Sequence, residues 1–398
     1  MSDTRATATE NDAEKKAANL STDGSYRRIV VKIGSSTLTD DAGSINRDFI
    51  RALGDQVNTI RQTLGSQVLI VTSGAIAAGL EALGYGGVRP TDMPSLQAAA
   101  AVGQLRLSQV YSEEFAAWQM KLGQVLLTRF DTENRSSYLH ARDTMERLLE
   151  LGVVPLINEN DTVAVDEIRF GDNDTLAAHV AVLVKADLVI LLSDIDGLYS
   201  ADPRRHEDAV LIDSIGALTK EIVQAAGAAG TVRGSGGMVT KLEAARICMA
   251  AGIQMVICEG ERPNVVLDVA RGESLGTRFA AESNHSYSAR KLWMALSGQV
   301  LGSLYVDSGA EQALREKGRS LLPVGISKVE GEFAAGAAVD IRAQDGMIIG
   351  RGLTNYDSAT LTESAGRSFS QLTGSTDLPE ASSAAQVAIH RDQLVIFY

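Results

Sequence analysis

The chain has 398 residues, 45% of them hydrophobic and 22% charged; that is too long for one ordinary core and too apolar for wholesale disorder, so two folded domains are expected. Its 37 Lys and Arg against 50 Asp and Glu leave a formal charge of −13, which disfavours any function resting on a broad basic surface for nucleic acid or anionic lipid. The two cysteines, Cys248 and Cys258, match neither a metal pair nor a disulfide framework, and no stretch has the apolar core of a secretory signal or membrane span, so a cytoplasmic protein is expected.

Residues 1–25, rich in Ala, Thr, Asp, Glu, Asn and Lys, are expected to stay unfolded as a leader. From Arg28 onward, short apolar runs alternate with helical periodicity. Ile29–Ile33 reads as a buried strand, and Phe49, Leu53, Val57, Ile60 and Leu64 recur at three- and four-residue steps along one helix face. Val68–Val71 is the next strand. A long helix after Pro94, a strand at Val125–Leu127, a helix over Tyr138–Glu150 and a strand at Val153–Ile157 follow. The pattern continues with a helix over Thr175–Val184, a strand at Leu188–Leu192, a helix over Lys241–Met249 and a strand at Met255–Ile257. This alternation argues for βαβ units around a mostly parallel sheet with helices on both faces. The α/β part is placed at residues 26–280. After a polar junction the texture changes, and Gly298–Val306, Leu322–Glu330, Ala338–Ile341, Met347–Leu353 and Leu394–Tyr398 read as strands of a small β-rich module over residues 285–398. The Ser/Thr-rich stretch Gly366–Ser383 reads as a flexible loop.

A parallel sheet gathers ligands at the carboxyl ends of its strands, so the residues following each apolar run carry the functional question. The first strand ends in Val30-Val31-Lys32-Ile33-Gly34-Ser35-Ser36. That segment offers a cation and approachable backbone N–H groups to an anion, although a lysine snorkelling beside a turn glycine would look the same. The second strand ends in Thr72-Ser73-Gly74-Ala75, where Ser73 either contacts a ligand at a helix N-terminus or merely caps the helix. Asn158-Glu159-Asn160-Asp161 follows one strand, and Gly171-Asp172-Asn173-Asp174 precedes a helix; so many amides and carboxylates exceed what turns require. Ser193-Asp194-Ile195-Asp196-Gly197 follows another strand, and Gly234-Ser235-Gly236-Gly237-Met238-Val239-Thr240-Lys241 leads into a helix. The latter can turn several N–H groups and a lysine toward phosphate. It has no Lys directly after its last Gly and so is not a P-loop; no G-x-G-x-x-G follows the first strand, no G-x-S-x-G surrounds Ser73, and the five histidines show no metal spacing.

Taken together and in this order, these segments resemble the amino acid kinase family over about residues 26–280, most closely its members that phosphorylate the side-chain carboxylate of glutamate. The remainder resembles a PUA module through Gly318-Arg319-Ser320-Leu321-Leu322-Pro323-Val324-Gly325-Ile326. The resemblance implies a three-layer αβα fold with a mostly parallel central sheet. It implies that Lys32 and Lys241 neutralise the transferred phosphoryl group while Asp174 holds them in register. Ser193 and Asp194 with Ser235, Gly236, Gly237, Met238, Val239, Thr240 and Lys241 would bind ATP, whose Mg²⁺ arrives with the nucleotide. Ser73, Asp161 and Asn173 would bind L-glutamate, with Asn158 and Asp172 as further contacts. Ser235 stands where the family more often has Thr, exchanging one hydroxyl for another. The implied reaction makes L-glutamyl 5-phosphate, the first step of proline biosynthesis from glutamate. Inhibition by proline, a homo-oligomer and hand-over to the next enzyme of that pathway are further implications.

Rival acceptors within the family are aspartate, N-acetylglutamate, carbamate and UMP. An RNA-binding role for the PUA-like tail is the rival of a different class. From His285 onward, however, ten Lys and Arg face twelve Asp and Glu with no basic stripe, whereas RNA binding usually shows one.

Overall fold

The computed structural model of the chain describes residues 26–40, 44–85, 88–163, 173–201, 203, 206, 208–228, 237–280, 287–296, 299–367 and 387–397. The expected leader at 1–25, most of the expected loop at Gly366–Ser383, and the candidate residues Asp172, Ser235 and Gly236 lie outside the described residues. The chain divides into two compact units. The first comprises the described residues up to Gly216 with Gln224–Cys248 and Ile253–Ala280; the second comprises Ala217–Val223, Met249–Gly252 and the described residues from Tyr287 on.

In chain order the first part runs β1 (Arg28–Ile33), α1 (Ser35–Leu38), α2 (Arg47–Thr63), β2 (Gln67–Val71), α3 (Ala75–Ala82), α4 (Met93–Phe115), β3 (Leu122–Leu127), α5 (Arg129–Glu133), α6 (Arg135–Glu150), β4 (Val154–Glu159), α7 (Asn173–Val184), β5 (Leu188–Ser193), β6 (Ser214–Ile215), α8 (Lys220–Ala228), α9 (Met238–Ala250), β7 (Gln254–Glu259), α10 (Val265–Ala270) and β8 (Thr277–Phe279). The strands form a sheet in the order β3-β4-β2-β1-β5-β7-β8-β6, parallel throughout except for the β7/β8 pair. This is the mostly parallel sheet that was expected, with β1 in its interior between β2 and β5.

Burial on both faces suits β1, whose Ile29, Val30, Val31 and Ile33 are fully buried β-branched residues. Successive side chains of a strand point to opposite faces. Ile29, Val31 and Ile33 accordingly join Ile50, Leu53, Val57 and Ile60 of α2 in one core cluster, and Lys32 faces the other side. There the buried helix α7 packs against β1, β2, β4 and β5. The α2 stripe matches the periodicity read from the sequence, with Ile50 added to it.

Two close approaches fix the helices that lead to the site. A Cβ on Gly79 of α3 would lie 1.8 Å from the Ala99 carbonyl oxygen, and one on Gly103 of α4 would lie 1.7 Å from that of Ala75. Only glycine lets α3 and α4 cross so closely. Asp92 caps α4 by accepting from Ser95 N–H, with Pro94 in the first turn.

The second unit holds a separate sheet in the order β10-β9-β11-β12-β13, from β9 (Val300–Val306), β10 (Ile326–Glu330), β11 (Ala338–Arg342), β12 (Ile348–Leu353) and β13 (Leu394–Ile396). Leu304, Val306, Ile326, Ile341, Ile349 and Ile396 form its core. It also carries α11 (Ala289–Leu296), α12 (Ser308–Lys317) and α13 (Ser358–Ser364), which sequence reading passes over. The expected strand at Leu322–Glu330 starts late, because Pro323–Gly325 make a 3₁₀ turn before β10.

Candidate active site

The carboxyl edge of the sheet brings together residues from separate strand ends and helix starts. Lys32, the penultimate residue of β1, extends its ammonium to 2.5 Å from Asp174 Oδ1; Lys241, in the first turn of α9, places its Nζ 3.0 Å from Asp174 Oδ2. The Lys32, Asp174 and Lys241 side chains are 5, 0 and 8% exposed, so one carboxylate holds two ammonium groups in a dehydrated setting. Such a cluster is stable only because each charge has a close partner. Thr240 Oγ1 donates to Gly237 O at 2.8 Å and reaches Asp174 Oδ2 at 3.4 Å, which ties the end of the Gly-rich segment to the same carboxylate. Asp174 lies in the first turn of α7 rather than before the helix, and a carboxylate is favoured there by the helix dipole.

Beside this charge cluster lies an amide cluster. Asn173 Nδ2 donates to Thr72 O at 2.7 Å, to Ser73 Oγ at 2.9 Å and to Asn158 Oδ1 at 2.9 Å. The Asn158 Oδ1 also accepts from Glu159 N–H at 2.9 Å, and its Nδ2 donates to Gln104 Oε1 at 2.7 Å. The buried Asn173 Oδ1 has no hydrogen-bond partner among the described residues. Below this layer Thr72 Oγ1 donates to Tyr111 OH at 3.2 Å, and burial pushes the Tyr111 phenol well above its ordinary pKa, so it stays neutral. A set of polar groups buried at the end of a sheet, with one acceptor still unsatisfied, is built to receive a donor.

Ser193 is buried at the end of β5 and donates to the exposed Asp194 at 3.0 Å. The β1/β5 register, Ile33 opposite Leu192, sets it beside Gly34. In the Gly-rich segment Gly237 precedes α9, Met238 is buried and Val239 exposed. Asn158 ends up inside β4, which runs on to Glu159, and the half-buried Asp161 stands in the turn beyond. Thus Lys32, Asp174, Lys241 and Thr240 converge directly, as do Ser73, Asn158 and Asn173. Gln104, Thr72 and Tyr111 belong to the same network without having been singled out from the sequence. The signal for Gln104 was a polar residue on the buried stripe Ala100, Gly103, Leu107, Tyr111 of α4.

The sequence profile of the amino acid kinase family matches residues 27–259. A glutamate 5-kinase of Citrifermentans bemidjiense is 44% identical over 370 residues, covering 93% of this chain and 97% of the relative. Those of Herpetosiphon aurantiacus and Carboxydothermus hydrogenoformans are each 46% identical, covering 94% and 93% of this chain and 99% and 97% of the relatives. The chain belongs to the amino acid kinase family and, within it, to the glutamate 5-kinases. It is therefore a phosphotransferase, and its similarity to these kinases runs through the second unit as well as the first. The PUA domain profile matches residues 302–373, which span most of the second sheet.

Proposed function

We propose that this kinase transfers the γ-phosphoryl group of ATP to the side-chain carboxylate of L-glutamate, giving L-glutamyl 5-phosphate and ADP, as the first step from glutamate to proline. The observation that carries this reading is the Lys32–Asp174–Lys241 cluster lying next to the amide cluster at one edge of the sheet. The first suits a polyphosphate and the second an amino acid. One glutamate carboxylate oxygen attacks the γ-phosphorus, and the bond to the β–γ bridging oxygen breaks, the electron pair leaving with ADP. A carboxylate with an ordinary pKa of about 4.3 is already ionised at neutral pH, so no general base is needed. Catalysis then rests on alignment and on charge stabilisation of the transferring group by Lys32 and Lys241, held by Asp174. Ser193 and Asp194 with Gly237, Met238, Val239, Thr240 and Lys241 form the described part of the ATP site. Ser73, Asn158, Asp161 and Asn173 form that of the glutamate site.

Both Asp174 oxygens face ammonium groups, and no group of three or more potential metal ligands occurs among the described residues. A nucleotide's own phosphates suit Mg²⁺, and we assign the ion to ATP. It would neutralise phosphate charge.

We further take 26–280 as the kinase domain and 285–398 as the PUA-like domain, and place the protein in the cytoplasm as a homo-oligomer. Among the described residues no helix is long and apolar enough to cross a membrane. Proline keeps the charged amine and α-carboxylate of glutamate but lacks the acceptor, so we propose that it competes in the same pocket. The acyl phosphate product would pass to a reductive step. A hydroxamate assay dependent on ATP and acceptor, run with and without proline, tests substrate, product class and inhibition together. Hydroxamate formation with glutamate and its suppression by proline are expected; preference for aspartate, N-acetylglutamate or another acceptor would overturn the substrate.

A further inference from the structure

We propose that Gln104, on α4 and outside the charge cluster, is a positioning residue that sets the preference for an acceptor bearing an ammonium group. The proposal rests on the reading of glutamate as acceptor. Gln104 is 8% exposed, Asn158 2% and Asn173 9%, and they form a chain of amides whose orientation follows from two backbone groups that cannot be reversed. Glu159 N–H is a donor only, so the atom of Asn158 that faces it at 2.9 Å must be Oδ1. The Asn158 Nδ2 is thereby turned toward Gln104 and needs an acceptor, which Gln104 Oε1 supplies at 2.7 Å. At the far end Thr72 C=O is an acceptor only, so the atom of Asn173 that faces it at 2.7 Å must be Nδ2. That same Nδ2 meets Asn158 Oδ1. Reversing the Gln104 amide would set two NH₂ groups against each other, and reversing Asn158 as well would set its NH₂ against the Glu159 N–H. One arrangement satisfies every contact.

The outcome is at Asn173. Its two N–H hydrogens are shared among Thr72 O, Ser73 Oγ and Asn158 Oδ1, and its Oδ1 is left buried without a partner among the described residues. An acceptor held in that way favours a donor and disfavours a carboxylate. At neutral pH glutamate carries two carboxylates and one ammonium, and only the ammonium donates. Gln104 itself is fixed in depth by its neighbour Gly103, where α4 presses on the Ala75 carbonyl of α3, and its Nε2 reaches Ser108 Oγ at 3.3 Å. Gln104 touches no substrate; it acts through Asn158 on Asn173.

The test compares glutamate with glutarate, the same dicarboxylate without the ammonium, in the hydroxamate assay. Gln104→Met removes the acceptor and keeps the length, and Gln104→Glu keeps an oxygen at the position that Asn158 Nδ2 addresses. Expected for Gln104→Met is a rise of about tenfold in the glutamate KM, with kcat, the ATP KM and kcat/KM for glutarate within about twofold of wild type. Gln104→Glu is expected to keep the preference for glutamate over glutarate within about threefold. An equal loss on both acceptors, or no loss on glutamate, overturns the role. If Gln104→Met lacks a melting transition that ATP raises, Gln104→Glu decides alone, and a Gln104→Glu protein that loses the preference or does not fold also overturns it. Wild-type enzyme inactive on glutamate would overturn the substrate reading instead, a result that the variants cannot mimic.

Discussion

Asp174→Asn gives the sharpest test of the charge cluster. The substitution is nearly isosteric, but it removes the carboxylate that both Lys32 and Lys241 contact, in a site where neither ammonium group is more than 8% exposed. The Asn oxygen can accept from one lysine; its NH₂ would face the other. Removing one partner from a buried ion pair costs about 3–5 kcal/mol, and in a domain of this size each kcal/mol moves the melting temperature by about 2–4 °C, so a fall of about 10 °C is expected without ligand. Phosphate oxygens would replace the lost carboxylate, so a non-hydrolysable ATP analogue should raise the variant's melting temperature more than it raises that of wild type. Catalysis should stay low even when the site is filled. Displacing preorganised charge from a transferring phosphoryl group is worth about 3–4 kcal/mol, which is about 10²–10³ in kcat. Differential scanning fluorimetry with and without the analogue, together with single-turnover rates, supplies the readout. Equal analogue-induced shifts in both proteins would refute the idea that these lysines face the phosphates, and an unchanged kcat would refute the role of Asp174.

Asn173→Ala removes both the unsatisfied oxygen and the anchor to Ser73, and loss of a hydrogen bond to a charged group, about 1.5–3 kcal/mol, should raise the glutamate KM about 10- to 100-fold; steady-state kinetics showing the change in the ATP KM alone would contradict this. Gly79→Ala forces a Cβ to within 1.8 Å of the Ala99 carbonyl, a backbone clash expected to cost about 2–3 kcal/mol. Because α3 begins just after Ser73, the same variant should weaken glutamate binding; an unaltered melting curve would mean that α3 and α4 can separate freely. At the opposite end of β1, Arg28 grips Glu146 with two hydrogen bonds of 2.6 Å, and these hold the Glu146 carboxyl below its ordinary pKa. A depressed acid stabilises the fold above the unfolded-state pKa and ceases to do so as pH falls through the folded-state value. Glu146→Gln should therefore cost about 1 kcal/mol at neutral pH, this pair being about a third exposed on the glutamate side. The gap from wild type should close below about pH 4 in pH-resolved denaturant melts. A gap independent of pH would show that the charge contributes nothing.

The sheet was legible because its buried parallel strands are continuous apolar runs. Their ends were less so. Sequence reading stops a strand at its last apolar residue, but the ladder that pairs Leu126 with Asn158 and Leu127 with Glu159 carries β4 two polar residues further. Likewise α7 begins at Asn173, two residues before the apolar periodicity starts. Both extensions place site residues on rigid elements rather than in turns. Gln104 was hidden for a different reason: periodicity marks a buried stripe but does not say which polar residue on it has found a partner 54 positions away. Of the tail helices, α12 was missed because it buries little, contributing Leu314 alone. The individual roles at the site came from the ordered set of segments that resemble known kinases; spacing and chemistry alone had left Lys32 and Ser73 with a structural alternative each.

The formal charge of −13 and a substrate pair that is itself anionic pose a problem that the site geometry answers. A field set by the whole protein would slow the approach of ATP and glutamate, so attraction must be local and short-ranged. Two lysines held against one aspartate place their positive charges at a point where water is excluded, and there each charge acts through a lower effective dielectric than it would at the surface. Without Asp174, the lysines would repel each other across the gap. The acceptor half needs the reverse solution. A cationic pocket would hold either end of glutamate equally well, whereas neutral amides with a fixed oxygen distinguish the ammonium end from the end that must reach the phosphorus. On the proposed reading, charge placed at one strand end and oriented amides at the neighbouring ones divide the work between catalysis and the orientation of the acceptor.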